Sequence, residues 1–117
     1  MSTPNSSQHS ELPASVRGFL AAHAVRDLDA AIRAFSPAAV VIDEGKTFRG
    51  VDEILGFLSE AGSEFTYTAE LMSVRRTDDA HWVAGHRLEG DFPGGVADVD
   101  YRFTMDGDLI AELVIAP

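Results

Sequence analysis

The stretch VVIDEG, residues 40–45, places two adjacent carboxylates at the end of a run of β-branched residues. A strand that carries Asp43 to the mouth of a pocket would strip water from the carboxylate and raise its pKa from about 3.9. Such a group can take a proton from a carbon next to a carbonyl, or orient a water molecule. The alternative is an acid that ends a strand in a tight turn and hydrogen bonds to nearby backbone. The residues leave both interpretations open, and we expect Glu44 to face solvent.

A histidine in the stretch AHWVAGHRLEGDF is a second candidate for chemistry. His86 shares one face of the predicted strand with Trp82, Ala84 and Leu88, because side chains alternate across a strand. If that face is concave, the imidazole points into a cavity and can act there as acid, base or hydrogen-bond donor near neutral pH. The alternative is a core histidine bonded to a backbone carbonyl.

Three aromatic side chains have the same inward alternation in the neighbouring predicted strands. Tyr67 and Tyr101 could donate hydrogen bonds to a ligand, and Trp82 could stack on a planar one. The alternative, which is the commoner role of such residues, is a core aromatic whose ring fills space. We count all three as candidate ligand contacts.

The elements that must position these residues follow from the spacing of apolar side chains. Three helices are predicted first: one over ELPASVRGFLAAHAV, one over RDLDAAIRAF that starts at Asp27 or Asp29 and reaches Phe35, and one over VDEILGFLSEAG that ends near Gly62. Two short strands, AAVVID and KTFRG, lie between the second and third helices. After Gly62 four strands with period-two alternation follow, joined by turn residues. This order predicts an α+β fold with helices on one face of a mostly antiparallel sheet.

Length and composition predict a single acidic domain. The chain has 117 residues, of which 45% are hydrophobic, enough for one core. The first ten residues, MSTPNSSQHS, are polar and are predicted to form a disordered tail, which leaves residues 11–117 as the domain. The tail has neither the basic nor the apolar region of a secretory signal.

Charge and missing motifs exclude several classes of function. Nine basic against 19 acidic residues give a net charge of −10, which argues against binding to nucleic acid or to an anionic membrane. No apolar run is long enough to span a membrane. The chain has no cysteine, which fits a cytoplasmic location, and it has no histidine pair with metal-ligand spacing. Since dinucleotide, phosphate-loop and serine-nucleophile motifs are also missing, we expect neither a metal nor a cofactor.

Three longer stretches carry a resemblance to a known superfamily: FLAAHAVRDLDAAIRAFSPAAVVIDEG, FRGVDEILGFL and DYRFTMDGDLIAELVI. They resemble the nuclear transport factor 2-like superfamily, which includes SnoaL-like polyketide cyclases and ketosteroid isomerase. The resemblance covers nearly everything after the tail. It implies a cone, in which a curved sheet wraps around about three N-terminal helices and encloses an internal pocket. It does not imply what the pocket binds.

Ketosteroid isomerase is the functional template that this resemblance suggests, and it works with tuned carboxylates. Asp43 falls at the position of that enzyme's general base. The two oxyanion donors are not retained, because Phe19 stands in place of the tyrosine and Val99 in place of the protonated aspartate. The resemblance therefore implies apolar ligand contacts from Phe19 and Val99, and it argues against steroid isomerase activity. Asp98 and Asp100 flank Val99 but alternate to the opposite face.

The opposite face of the sheet suggests an interface between two copies of the chain. Its predicted apolar members are Met72, Val74, Ile110 and Val114, and the charged ones are Arg87, Glu89, Asp98, Asp100 and Arg102. An apolar patch with a charged rim is typical of a protein interface, and superfamily members often pair through their sheets. A homodimer through the outer sheet face is therefore predicted.

The sequence leaves three functions open. The first is a cofactor-independent isomerase, cyclase, dehydratase or hydrolase that uses Asp43 with help from His86 or a tyrosine. The second is a binding module with the same pocket and no turnover, and the third is a structural dimerisation domain whose cavity is filled by aromatic side chains. Seven phenylalanines and one tryptophan favour an apolar ligand in the first two cases.

Overall fold

A computed structural model describes residues 12–61 and 67–117, with the side chains of residues 60, 61 and 67 left undescribed. The predicted tail, residues 1–10, lies outside the described residues. The helices are α1 (Ala14–Ala24), α2 (Leu28–Ile32) and α3 (Gly50–Ala61). The strands are β1 (Phe35–Asp43), β2 (Lys46–Arg49), β3 (Tyr67–Arg76), β4 (His81–Gly90), β5 (Val96–Asp106) and β6 (Leu109–Ala116). No helix in the described part of the chain combines the length and apolar character needed to cross a membrane.

All six strands belong to one sheet, in the order β2-β1-β6-β5-β4-β3. The last four strands form the antiparallel meander that the alternating pattern predicts. The first hairpin then joins the meander through a parallel pairing of β1 with β6. The predicted α+β class with a mostly antiparallel sheet is confirmed.

Two local signals set boundaries of the elements, and one predicted boundary is wrong. Asp27 is the N-cap of α2, and its Oδ1 accepts a hydrogen bond from the Ala30 N–H at 3.1 Å. Glu44 and Gly45 join β1 to β2 with positive φ angles of 52° and 80°, as a two-residue hairpin turn requires. The predicted second helix is too long at its C-terminal end, because Phe35 already pairs with Ile110 as the first residue of β1.

The helices cover one face of the sheet and bury its apolar side chains. Phe19 on α1 lies at the centre of this core, 1% exposed, with ring centroids 5.2 Å from Phe35 and 6.1 Å from Phe103. Ile54 on α3 and Leu113 on β6 are wholly buried. These contacts fix α1 and α3 against the concave face of the sheet.

The strand pairing shifts register at three places: between β1 and β6 after Phe35, in β3 and in β6. The last two change which side chains face the core. In β3, Leu71 pairs with His86 but Ser73 pairs with Gly85, so Met72 is an additional residue. In β6, Glu112 pairs with Thr104 but Ile110 pairs with Met105, so Ala111 is additional. Such β-bulges bend the bulged strand and increase its twist.

The same bulges overturn part of the predicted outer face. Val74 lies opposite the buried Ala84 and packs against the core, and Ile110 is wholly buried. Both were expected on the outer face, and that expectation is wrong because each bulge reverses the alternation beyond it. Val114 does lie on the outer face, between Ile42 and Arg102.

Candidate functional site

A cavity of about 430 Å³ opens between the C-terminal half of α1, α3 and the concave side of β3, β4 and β5. Its volume is within the range of small-molecule sites. Leucine and alanine side chains form most of its wall. The polar or charged residues among those described in its lining are His23, Arg26, Thr68, His86 and Tyr101.

His86 presents one ring nitrogen as a base. Its side chain is buried, at 6% exposure, and its Nδ1 lies 3.2 Å from the carbonyl oxygen of Ala84. Since a carbonyl can only accept, Nδ1–H donates, and the neutral ring carries its lone pair on Nε2. The ring centroid of Tyr101 lies 4.6 Å away, so the two side chains occupy the same part of the cavity wall.

His23 on α1 is a second histidine of this cavity, and sequence reasoning did not select it. Its ring stacks on Phe19, four residues earlier, with centroids 5.5 Å apart and planes 9° from parallel. Residues four apart share a helix face. The buried Phe19 therefore places His23 at the edge of the core. That spacing was visible in the sequence and is the signal that could have identified His23.

Burial keeps both imidazoles neutral at pH 7. Burial lowers the pKa of His86 below its ordinary value of 6.5; the hydrogen bond with Ala84 raises it in part, and the nearby His23 lowers it. Burial also lowers the pKa of His23, and the Arg26 guanidinium lowers it further. The cavity thus holds two uncharged bases within electrostatic reach of each other.

Asp43 lies elsewhere on the concave face and is not among the described lining residues of the cavity. It ends β1 opposite Lys46 and beside Ile115, which in turn pairs with Tyr101. β6 and β5 lie between β1, which contains Asp43, and β4, which contains His86. Measured along the sheet, β1 and β4 are three strand spacings apart, or about 14 Å. Asp43 and His86 therefore lie on strands that are not neighbours in the sheet.

The environment of Asp43 is that of a partly desolvated carboxylate. Burial raises its pKa above the ordinary 3.8, the adjacent Glu44 raises it too, and Lys46 lowers it. No hydrogen bond from the described residues stabilises the ionised form. The turn interpretation required such a bond, so the geometry favours the desolvated-carboxylate interpretation.

The predicted ligand contacts separate into two groups. Tyr101 lines the cavity, whereas Phe19 is enclosed by core aromatics, and Val99 packs against the core opposite His86. Trp82 is half-buried, with the Arg76 guanidinium 5.7 Å from its ring centre, and it is not among the described lining residues. The side chain of Tyr67 lies outside the described residues.

Solved structures with the same fold give the family. A candidate polyketide cyclase from Sinorhizobium meliloti is 33% identical to this chain, with a TM-score of 0.86 over 92% of this chain and 98% of that one. The chain is a SnoaL-like member of the nuclear transport factor 2-like superfamily. The predicted cone fold of this SnoaL-like protein is thereby confirmed.

More distant structures share the fold of this SnoaL-like protein. A protein from Catenulispora acidiphila with a ketosteroid isomerase-like fold, solved in complex with trimethylamine, is 17% identical, with a TM-score of 0.75 over 90% of this chain and 85% of that one. The Δ5-3-ketosteroid isomerase of a Mycobacterium species is 14% identical, with a TM-score of 0.72 over 89% and 90% of the two chains. Neither a family model nor a curated protein sequence matches the chain.

We expect the imidazoles of His23 and His86 to titrate below pH 6.5 and His86 to be the Nδ1–H tautomer. Long-range proton–nitrogen NMR spectra, recorded across a pH series, report both properties. Because both pKa values are lower in the folded chain, the unfolded chain binds more protons than the folded chain does below about pH 6.5. The free energy of unfolding should therefore fall as the pH drops from about 6.5 towards the folded-state pKa values. A His86 pKa above 6.5, or an Nε2–H tautomer, would contradict this assignment.

We expect Asp43→Asn to leave the free energy of unfolding at pH 7 unchanged or higher. The raised pKa means that the folded chain holds the proton more tightly than the unfolded chain does. The stabilisation of the folded state by this proton is present below pH 3.8 and is lost as the pH rises through the folded-state pKa of Asp43. Urea denaturation measures the difference, and Glu89→Gln, an exposed carboxylate on the outer face, is the control. A loss above about 2 kcal/mol would instead make Asp43 a structural cap.

Proposed function

We propose that the protein binds an apolar small molecule in the cavity and catalyses a cofactor-independent proton transfer on it, as an isomerase or cyclase. One observation carries this proposal: His86 lines an open, mostly apolar cavity beside Tyr101, and its Nδ1–H bond to the Ala84 carbonyl leaves Nε2 as the unprotonated nitrogen. A neutral imidazole in a cleft is suited to general base catalysis, an effect worth about 10²–10⁴ in rate.

The proposed chemistry needs only groups of this chain. Nε2 of His86 takes a proton from a carbon next to a substrate carbonyl, and the electron pair of that C–H bond moves to form an enolate. Return of the proton at another carbon gives an isomer. Attack of the enolate carbon on a second carbonyl of the same substrate closes a ring, and the imidazolium protonates the resulting alkoxide. The candidate polyketide cyclase at 33% identity supports this class of reaction.

Asp43 is the alternative base within the same proposal. Its raised pKa and its place on the concave face support it, as does the template suggested by the resemblance. A substrate that reached Asp43 would have to extend past the side chain of Ile115, which pairs with Tyr101 on that face. The cavity geometry therefore favours His86.

A non-catalytic binding module is the second candidate function. It is supported by the mostly apolar walls of the cavity and by the absence of both oxyanion donors at the positions that the resemblance to ketosteroid isomerase implies. By that resemblance Phe19, which is 1% exposed, stands at the tyrosine position and Val99 at the aspartate position. Without such donors an enolate is stabilised poorly, because preorganised donors commonly supply a large part of catalysis.

We further propose that two copies pair through the outer face of the sheet. Ile42, Val114, Arg102 and Val83 form one row across β1, β6, β5 and β4. Three of the four are apolar and half-buried. The fourth, Arg102, has its Nη2 3.9 Å from Oδ2 of Asp100. Met72 adds a side chain that is 42% exposed. A row of this kind can be covered by its own symmetry mate.

Solvent exchange tests the catalytic proposal without knowledge of the natural substrate. We expect the protein to accelerate deuterium exchange at the carbon next to the carbonyl of 1-tetralone, measured by NMR at pH 7. His86→Gln should reduce the acceleration at least tenfold, within the range of a lost general base. His81→Gln, an exposed histidine of the same strand, should change nothing.

Loss of exchange in Asp43→Asn, but not in His86→Gln, would transfer the role of base to Asp43. Binding of 1-tetralone without any acceleration would support the binding module and contradict the enzyme.

Val114→Asp tests the proposed interface. A buried and unpaired charge in the row should produce monomers, measured by light scattering after size-exclusion chromatography. Val51→Asp is the matched control, since Val51 is 40% exposed in the first turn of α3, on the other side of the sheet. An unchanged molar mass in Val114→Asp would count against the outer face as an interface.

A further inference from the structure

Arg26 has a backbone conformation that glycine normally supplies. It follows the last turn of α1 with a φ angle of 59°. Its N–H donates to the carbonyl of His23 at 3.1 Å, and the N–H of Asp27 donates to that of Ala22 at 2.9 Å. This pair of bonds is a Schellman motif, in which glycine is preferred because a Cβ is unfavourable in the left-handed region. Strained backbone of this kind is often found at ligand sites.

The arginine at this position gives the cavity a side chain that glycine could not. Arg26 lines the cavity together with His23, His86 and Tyr101. The guanidinium also acts on the imidazole of His23, whose pKa it lowers. The strained residue therefore brings a fixed positive charge to the end of α1 that borders the two histidines.

This charge has no carboxylate partner in the described chain. The ion pairs of the described residues involve Arg76, His81, Arg87 and Arg102, and none brings a carboxylate within 4 Å of Arg26. No acidic residue occurs in the described cavity lining. In a chain with a net charge of −10, Arg26 is an exposed cation at the rim of a cavity whose walls are mostly apolar and which also contains two neutral imidazoles.

We propose that the cavity selects ligands with an apolar body and one anionic end, a carboxylate or a phenolate, which pairs with Arg26. The inference rests on the proposed function, because it assigns the chemical class of ligand to the same cavity. A guanidinium pairs with a carboxylate through two parallel N–H donors, and nearby apolar walls strengthen that interaction. The apolar body then lies against Leu20, Leu58 and Leu71.

A pair of probes with one shape and different charge tests the inference. Isothermal titration calorimetry at pH 7.5 compares 2-naphthoate with 2-naphthalenemethanol. We expect the protein to bind naphthoate about tenfold more tightly than the alcohol, since a hydrogen bond to a charged group has roughly this effect. Arg26→Gln should abolish that preference by weakening naphthoate binding, with the affinity for the alcohol changed less than about twofold.

Two further variants control for folding and for long-range charge. Arg33→Gln removes an exposed arginine that is not among the described lining residues, so it should retain the preference for naphthoate. Arg26→Gly removes the side chain while allowing the left-handed backbone, and it replaces Arg26→Gln if that variant does not fold.

Each outcome separates the anion proposal from the proposed function. Equal affinity for both probes in the unmodified protein, or an unchanged preference in the Arg26 variants, would overturn the anionic class and leave the apolar cavity in place. An equal loss of preference in Arg33→Gln would overturn the assignment to Arg26. No binding of either probe at millimolar concentration would overturn the cavity as a ligand site, and this inference with it.

Discussion

The site depends on curvature of the sheet, and the sheet bends where its strand pairing shifts register, in β1, β3 and β6. Met72 in β3 and Ala111 in β6 each interrupt the regular pairing with a neighbouring strand. A regular sheet would present a shallow surface to α1 and α3, and the helices would lie flat on it. The bulges bend and twist the strands that contain them. Space therefore remains between the end of α1 and the strands β5, β4 and β3.

The core and the cavity are two parts of one concave surface. Towards β1 and β6 the surface is filled by Phe19, Phe35 and Ile54, which allow little room for another molecule. Towards β3 and β4 the filling side chains are smaller, among them Ala69 and Ala21, and the space stays open. The polar groups of the site therefore belong to the boundary between these regions, where burial lowers the pKa of the histidines without enclosing them completely.

Most of the fold could be predicted from the sequence because its signals are local. Alternation in β4 and β5 correctly predicted the face of His86 and Tyr101. Neither of these strands contains a bulge, because the extra residues lie in their partners β3 and β6. The same reasoning failed for Val74 and Ile110, because neither Met72 nor Ala111 is a residue type that signals a bulge. The composition of the cavity wall was harder to predict. Arg26 reaches it only through the tertiary packing of α1, and the separation of Asp43 from His86 depends on the strand order.

The bulge at Met72 also affects how the sheet meets other molecules, because β3 is one of its two edges. An edge strand offers unpaired backbone groups to any other strand, which is a route to aggregation. The other edge, β2, has only four residues, with Lys46 and Arg49 at its ends. β3 is ten residues long, but it is interrupted at Met72 and carries Arg75 and Arg76 beyond the interruption. Strand addition is therefore disfavoured at both edges.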